Sequence, residues 1–139
     1  MVTFEMLRNE DIPQLKEILE DYMESPQQAR IFMSEKQNIA IVAKLNNKII
    51  GFVYGYSLTR LDAKLPQFFI YSVDIHPAYQ DKGYGSQLMQ YVIDWAGNNG
   101  FSESFVLTHK DNPRACRVYE KAGMSYSTND CERMYEVKY

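Results

Sequence analysis

The sequence predicts a single α/β domain, and three observations predict it. Asn38 to Lys44 and Ile49 to Leu58 read as strands on either side of Leu45-Asn46-Asn47-Lys48, the pattern of an antiparallel hairpin. Gln67 to His76, Gly83 to Ala96 and Phe101 to His109 read as strand, helix and strand, a unit whose two strands run parallel. The 139 residues, 45% of them hydrophobic, suffice for one core and show no linker, repeat or low-complexity tract, so residues 1–139 are taken as one domain.

The remaining elements follow in order. Val2 to Leu7 is a short first strand. Asn9 or Asp11 caps a helix whose apolar stripe is Ile12, Leu15, Ile18, Leu19 and Tyr22. Pro26 breaks that helix, and a second covers Gln27 to Ser34. Asp62 to Pro66 is a polar loop before the aromatic, β-branched strand Gln67 to His76. Leu88, Met89, Val92, Trp95 and Ala96 line one face of the third helix, which Gly97 and Asn98-Asn99-Gly100 end. Asn112 and Pro113 open the last helix as N-cap and first residue, and Gly123 closes it. Met124 to Ser127 and Glu132 to Tyr139 are read as two further strands around a Thr128-Asn129-Asp130 turn.

Composition excludes several classes. A formal net charge of −3 gives no whole-chain attraction to nucleic acid. No apolar run approaches the roughly 18 residues of a membrane span. The start Met1-Val2-Thr3-Phe4-Glu5 lacks the features of an export signal, so the expected compartment is cytoplasmic. Cys116 and Cys131 have no metal-ligand spacing, and two histidines without a cysteine pair give no zinc pattern, so no metal is expected. Glu10, Asp11, Glu17, Glu20, Asp21 and Glu24 crowd the first helix against Lys16 alone. They form either a solvated face or a rim that attracts a cationic substrate.

The chemistry concentrates in Val73-Asp74-Ile75-His76-Pro77-Ala78-Tyr79-Gln80-Asp81-Lys82-Gly83-Tyr84-Gly85-Ser86. Gly83 and Gly85 let the backbone approach a ligand, and the helix that follows presents free N–H groups and its positive dipole end to an anion, best a pyrophosphate. A Rossmann fingerprint fails because residue 88 is Leu and the loop does not follow an early strand, and no Gly-Lys-Ser/Thr completes a Walker loop.

The second constellation is Asn112-Pro113-Arg114-Ala115-Cys116-Arg117-Val118-Tyr119-Glu120-Lys121-Ala122-Gly123-Met124. Together with Gln80-x-x-Gly83-x-Gly85 after a strand and His76-Pro77, it resembles the GNAT superfamily of acyl-CoA-dependent N-acyltransferases. Asn112, Ala115, Tyr119, Lys121 and Gly123 match that pattern, with Met124 in place of its usual Phe. The resemblance runs from end to end of the chain. Within it, Phe69 to Tyr119 looks like the aminoglycoside 3-N-acetyltransferase branch, except that Ser72 stands where that branch tends to carry an Asp.

The resemblance implies a mixed, mostly antiparallel seven-stranded sheet whose central parallel strands splay apart, flanked by about four helices. It implies acetyl-CoA as cosubstrate. Backbone groups of Val73 and Ile75 would pair with the pantetheine arm, and a bulge in that strand would leave one N–H to polarise the thioester carbonyl. Gln80, Lys82, Gly83, Tyr84, Gly85 and Ser86 would hold the pyrophosphate. Asn112 would touch pantetheine or cap its helix, and Arg114 or Lys121 would reach the nucleotide end. Tyr119 matches the general acid; a phenol with a pKa near ~10 is protonated at neutral pH and able to donate to a departing thiolate. Its alternative role is packing between helix and sheet. For the general base, Asp74, Glu103, His109 and a relay through water stay open. So do three activities: N-acetylation of a primary amine on a small molecule, aminoglycoside-like or polyamine-like; acetylation of a protein lysine or N-terminus; and a non-catalytic acyl-CoA-binding module. Tyr119 argues against the last. The assembly is either a monomer or a homodimer.

Overall fold

The computed structural model describes residues 1–18, 25–126 and 134–139. Among them one sheet of five strands forms in sequence order: β1 (Val2–Met6), β2 (Asn38–Leu45), β3 (Lys48–Leu58), β4 (Gln67–Ile75) and β5 (Glu103–Val106). β1 to β4 are antiparallel neighbours, whereas β4 and β5 run parallel. The helices are α1 (Ile12–Ile18), α2 (Pro26–Ser34), α3 (Tyr84–Asn98) and α4 (Pro113–Lys121).

Alternation along the strands divides the core in two. Ile39, Ile41, Ala43, Ile50, Val53, Phe68 and Ile70 face α3, which contributes Leu88, Met89, Val92 and Ala96. Ala40, Val42, Ile49 and Phe52 face the opposite way, against Leu7 and Leu15, with Phe32 and Met33 of α2 packed beside them. The β2–β3 hairpin turns on Asn46 and Asn47, both at positive φ (51° and 65°), the geometry of a tight turn that matches strand twist.

Most elements stand where the sequence put them, and four differ. Asn9–Asp11 is a 3-10 turn before α1, and Asp11 is not an N-cap: it is buried, and its carboxylate accepts the Arg8 N–H at 2.9 Å. Pro26 opens α2 as its first residue, with the Ser25 hydroxyl accepting the Gln28 N–H. α3 runs through Gly97 to Asn98, because a favourable helix end comes only where Asn99 Nδ2 donates to the Trp95 carbonyl. The strand expected over Phe101 to His109 shrinks to Glu103–Val106. Phe101 turns inward onto Trp95 and Phe68, while Leu107 is exposed where β5 has left β4.

The seven-strand expectation is also corrected among the described residues. Met124–Tyr126 and 134–139 form no ladder. Tyr135, Val137 and Tyr139 alternate as a strand would, yet all are exposed. Alternation proposes a strand, but only a partner edge and a buried face stabilise one. Ser127, the Thr128-Asn129-Asp130 turn and Cys131 lie outside the described residues, as do Leu19, Glu20, Asp21, Tyr22 and Glu24.

One buried charged group ties the sheet edge together. Lys44, beside a register shift in β2, is buried and donates to Asp11 at 2.8 Å and to Glu5 of β1. Burial pushes the Asp11 carboxyl up, but the Lys44 ammonium and the Arg8 N–H outweigh it and hold the carboxyl below its ordinary 3.8. Asp11 is thereby withdrawn from the acidic rim the sequence suggested, and Glu10 pairs with Arg8 at 3.0 Å.

Lys44→Met should leave the buried Asp11 carboxylate with only the Arg8 N–H and the Arg8 guanidinium 3.8 Å away, and destabilise the fold toward the lower end of ~3–5 kcal/mol at neutral pH. Because the folded Asp11 pKa is depressed, its contribution is present above about 3.8 and disappears as pH falls through the lower folded value. Urea unfolding of both proteins should therefore show a gap that narrows in acid. A pH-independent gap would mean that lost packing dominates.

Candidate active site

The site begins where two parallel strands part. β4 pairs with β5 from Gln67↔Glu103 to Ile70↔Val106, and there β5 stops while β4 runs on to Ile75. On its other side β4 stays paired with β3 as far as Gly51↔Ile75. Tyr54 faces Ser72 but Gly55 faces Ile70, so Tyr71 is an extra residue and β4 bulges there. Gly55 makes the bulge fit. A Cβ at that position would overlap the Phe69 carbonyl and lie 3.0 Å from the Ile70 Cα. Beyond the bulge, the β4 edge turned away from β3 has no ladder partner among the described residues.

That edge forms one wall of a groove of about 720 Å³, lined by Val73, Asp74 and Ile75 on β4, by Gln80, Asp81, Gly83, Gly85 and Ser86, and by α4 from Asn112 to Lys121. Gly83 is the N-cap of α3 at φ +86°, a conformation that disfavours any side chain. Lacking a capping side chain, it leaves the first N–H groups of α3 for water or a ligand. Gln80 is fixed at both ends: its Nε2 donates to the Ile75 carbonyl at 2.8 Å and its Oε1 accepts from Arg114 at 2.6 Å. Arg114 also reaches Asp81, itself at positive φ, at 3.4 Å.

The groove brings together Val73, Ile75, Gln80, Gly83, Gly85, Ser86, Asn112, Arg114 and Tyr119 from the sequence expectation. Lys82 and Tyr84 are not among its lining residues. Lys82 lies over the Tyr79 ring, 5.9 Å from its centroid, and Tyr84 packs on the α3-side core. Gly85 sits at the α3–α4 contact, where a Cβ would meet Val118 at 3.4 Å and Ile75 at 3.6 Å in ordinary van der Waals contact. The Asn112 Oδ1 accepts the Ala115 N–H at 3.2 Å, so this side chain caps α4. Arg117, which the sequence reading did not single out, lines the groove between Arg114 and Lys121. Helical spacing of the three cations on α4 was the signal for it.

Tyr119 enters the groove half-buried, its phenol pushed upward by burial and by the neighbouring Cys116. Of the three base candidates only Asp74 lines this groove, and burial lifts its carboxyl despite the Ile75 N–H and His76 that favour the anion. Glu103 accepts a hydrogen bond from Gln67 on the exposed side of β5, and the exposed His109 accepts the Asp111 N–H through Nδ1 at 3.1 Å. A phenol and a carboxyl, Tyr119 and Asp74, both shifted toward their neutral forms, thus share a cleft with an unpaired strand edge and an uncapped helix start.

The Acetyltransferase (GNAT) family profile matches residues 4–124. The chain therefore belongs to the GNAT acetyltransferase family and is an N-acetyltransferase. No curated protein sequence matches it significantly. Among solved structures, it is similar to the aminoglycoside acetyltransferase meta-AAC0020 from an uncultured soil metagenomic sample, in complex with sisomicin (TM-score 0.83, 20% identity, 99% of this chain and 97% of that one). It is similar to ribosomal-protein-alanine N-acetyltransferase from Brucella melitensis (TM-score 0.82, 17% identity, 99% of each). It is also similar to AAC(6')-Iy in complex with the bisubstrate analog CoA-S-monomethyl-acetylneamine (TM-score 0.79, 16% identity, 100% of this chain and 98% of that one). At these identities the likeness is one of fold.

The two loop glycines should behave differently. Gly83→Ala forces a side chain into left-handed backbone and should cost ~1–2 kcal/mol. Gly85→Ala places its methyl in ordinary contact and should be within ~1 kcal/mol of the parent, since alanine also favours the helix. Equilibrium denaturation of the two variants checks this; equal losses would contradict the separate roles.

Proposed function

We propose that this N-acetyltransferase moves an acetyl group from acetyl-CoA to a primary amine on a small molecule. The observation that carries the reading is the groove itself: the unpaired β4 edge, the bare N-terminus of α3, Tyr119 and Asp74 all line one cleft. When bound, acetyl-CoA supplies an activated acyl group on a thiolate leaving group.

The residues present suit that cosubstrate. The β4 edge offers backbone donors and acceptors to an extended amide-bearing arm. The Gly83 turn, the α3 N–H groups and Arg114, Arg117 and Lys121 suit a pyrophosphate and its neighbouring phosphate. The bulge at Tyr71 lies on the same stretch of strand, where a backbone N–H outside the ladder can polarise a carbonyl oxygen.

Asp74 takes a proton from the incoming ammonium, directly or through one water, and exposes the nitrogen lone pair. The new C–N bond forms as the C–S bond breaks, Tyr119 donates its proton to the departing sulfur, and the second proton lost by the acetylated nitrogen returns to the Tyr119 phenolate through water, while Asp74 releases the first to solvent. Burial favours both roles. A carboxyl lifted above its ordinary 3.8 is a stronger base, and a phenol lifted above 10.0 stays protonated at neutral pH. Sisomicin and the neamine moiety in the similar structures are small amines, which supports an acceptor of that kind here.

A panel of amines incubated with acetyl-CoA, read by product mass and thiol release, tests the activity. Acetylated small amines are the expected products; acetylation of protein lysines or N-termini alone would replace the proposed acceptor class. Tyr119→Phe should lower single-turnover rates by ~10²–10⁴ with coenzyme A affinity within a few-fold. A variant as fast as its parent would reduce Tyr119 to a packing residue. For Asp74, the single-turnover rate should fall as pH drops through its raised pKa, and Asp74→Asn should remove that acidic limb. An unchanged limb would move the base to a water relay.

A further inference from the structure

On the face of β3 and β4 opposite α3 lies a group of aromatic rings that the reaction chemistry leaves unexplained. Tyr54, Tyr56 and Tyr71 form a triangle, with centroids 5.6 Å (Tyr54–Tyr71), 5.8 Å (Tyr56–Tyr71) and 6.4 Å (Tyr54–Tyr56) apart. Phe32 of α2 meets Tyr54 and Tyr56 edge-on at 5.4 and 5.9 Å. The bulge residue Tyr71 stands out of this group, 59% exposed. A tyrosine exposed to that extent on a sheet face, with its neighbours arranged around it, offers a ring surface to something outside the core.

Asp74 connects the platform face to the groove. Cross-strand register sets Ser72 opposite Tyr54 and Asp74 opposite Phe52, and Phe52 stacks with Tyr54 on this same face. Asp74 therefore lies two residues beyond Ser72 on that strand, about 6–7 Å from it, and it also lines the groove. The groove's other carboxylate, Asp81, is at the α3 end and is engaged by Arg114. Burial and the neighbouring phenols push the Tyr54 and Tyr56 hydroxyls upward, so the rings stay neutral through the physiological range.

We propose that the acceptor is an aryl-bearing monoamine, its ammonium at Asp74 and its ring on the Tyr54–Tyr56–Tyr71 platform. This rests on the acetyl-transfer reading and narrows it. Among the described residues the groove holds one carboxylate without an ion-pair partner, Asp74, which matches one ammonium, whereas a polycation calls for several. Neutral ring faces reward a flat apolar body through stacking and burial, and they add a favourable face to a nearby cation. A short alkyl tether between ring and amine spans the two-residue step from the Tyr54↔Ser72 pair to Asp74.

Calorimetric titration of 2-phenylethylamine, n-butylamine, spermidine and sisomicin into protein saturated with coenzyme A tests the proposal, beside an acetylation assay of the same amines. The aryl amine should bind more tightly than n-butylamine by about threefold to tenfold. Tyr71→Ala should erase that preference without changing coenzyme A affinity, and Tyr71→Phe should keep it. Because Tyr71 is exposed, its truncation leaves the core intact. Equal binding of the aryl and alkyl amines, tighter binding of spermidine or sisomicin, or a preference that survives Tyr71→Ala would overturn the assignment. If acetyl transfer proceeds without aryl preference, the platform fails while the activity stands. If the aryl amine binds through Tyr71 but no amine is acetylated, the activity reading fails and the platform stands.

Discussion

The parting of β4 from β5 after Ile70 is the constraint on which the site depends. A free strand edge is normally a hazard, because its unpaired N–H and C=O groups template aggregation. Here β4 is held rigid on its other side by β3 down to Gly51↔Ile75, and the His76 N–H continues the pairing to the Ile50 carbonyl at 2.7 Å. The free edge is thus straightened by the sheet and sheltered by α4. A flexible segment would have to lose conformational freedom to present the same groups to a ligand, and this one has already done so on folding.

The bulge gives that single strand two uses. An uninterrupted β4 would keep strict alternation, with Tyr71 and Val73 on one face and Ser72 and Asp74 on the other. The extra residue at Tyr71 resets the alternation. Phe68, Ile70, Val73 and Ile75 can all pack with α3, while Tyr71 and Asp74 both go to the opposite face. Gly55 permits this by giving the bulged backbone room. Local disruption of the ladder is therefore what places aromatic rings, carboxylate and open backbone along one short run of chain.

Much of this was legible because it is local. The Asn46-Asn47 turn, the Asn112-Pro113 helix start and the α3 apolar face follow from side-chain chemistry within a few residues, and each appears as read. The motif spacing of Gln80, Gly83 and Gly85 with Asn112 and Tyr119 likewise located the groove. What escaped is long-range. Nothing in the sequence near Asp11 says that Lys44, far along the chain, will bury with it. The extent of β5 depends on where β4 diverges, so Leu107 to His109 looked like strand but are not. Lys82 beside the two glycines lies over the Tyr79 ring, a contact set by the loop's path and not visible in the sequence. The alternation of Tyr135, Val137 and Tyr139 was visible too, but pairing is a property of two segments and cannot be read from one.

The groove also has an electrical direction, and that direction orders the reaction. Arg114, Arg117 and Lys121 gather on α4 near the start of α3, where the helix dipole adds positive potential. Asp81 tempers this end, and its contact with Arg114 gives the guanidinium a partner. At the far end Asp74 is the carboxylate, half-buried between the free strand edge and the aromatic face. Such a charge distribution favours an anionic ligand at the α4 cations and a cationic one at Asp74, as the proposed reaction requires. Tyr119 lines the cleft on the helix wall, with β4 opposite. Neutral in its protonated form, it adds no charge to the cleft, and burial favours that form.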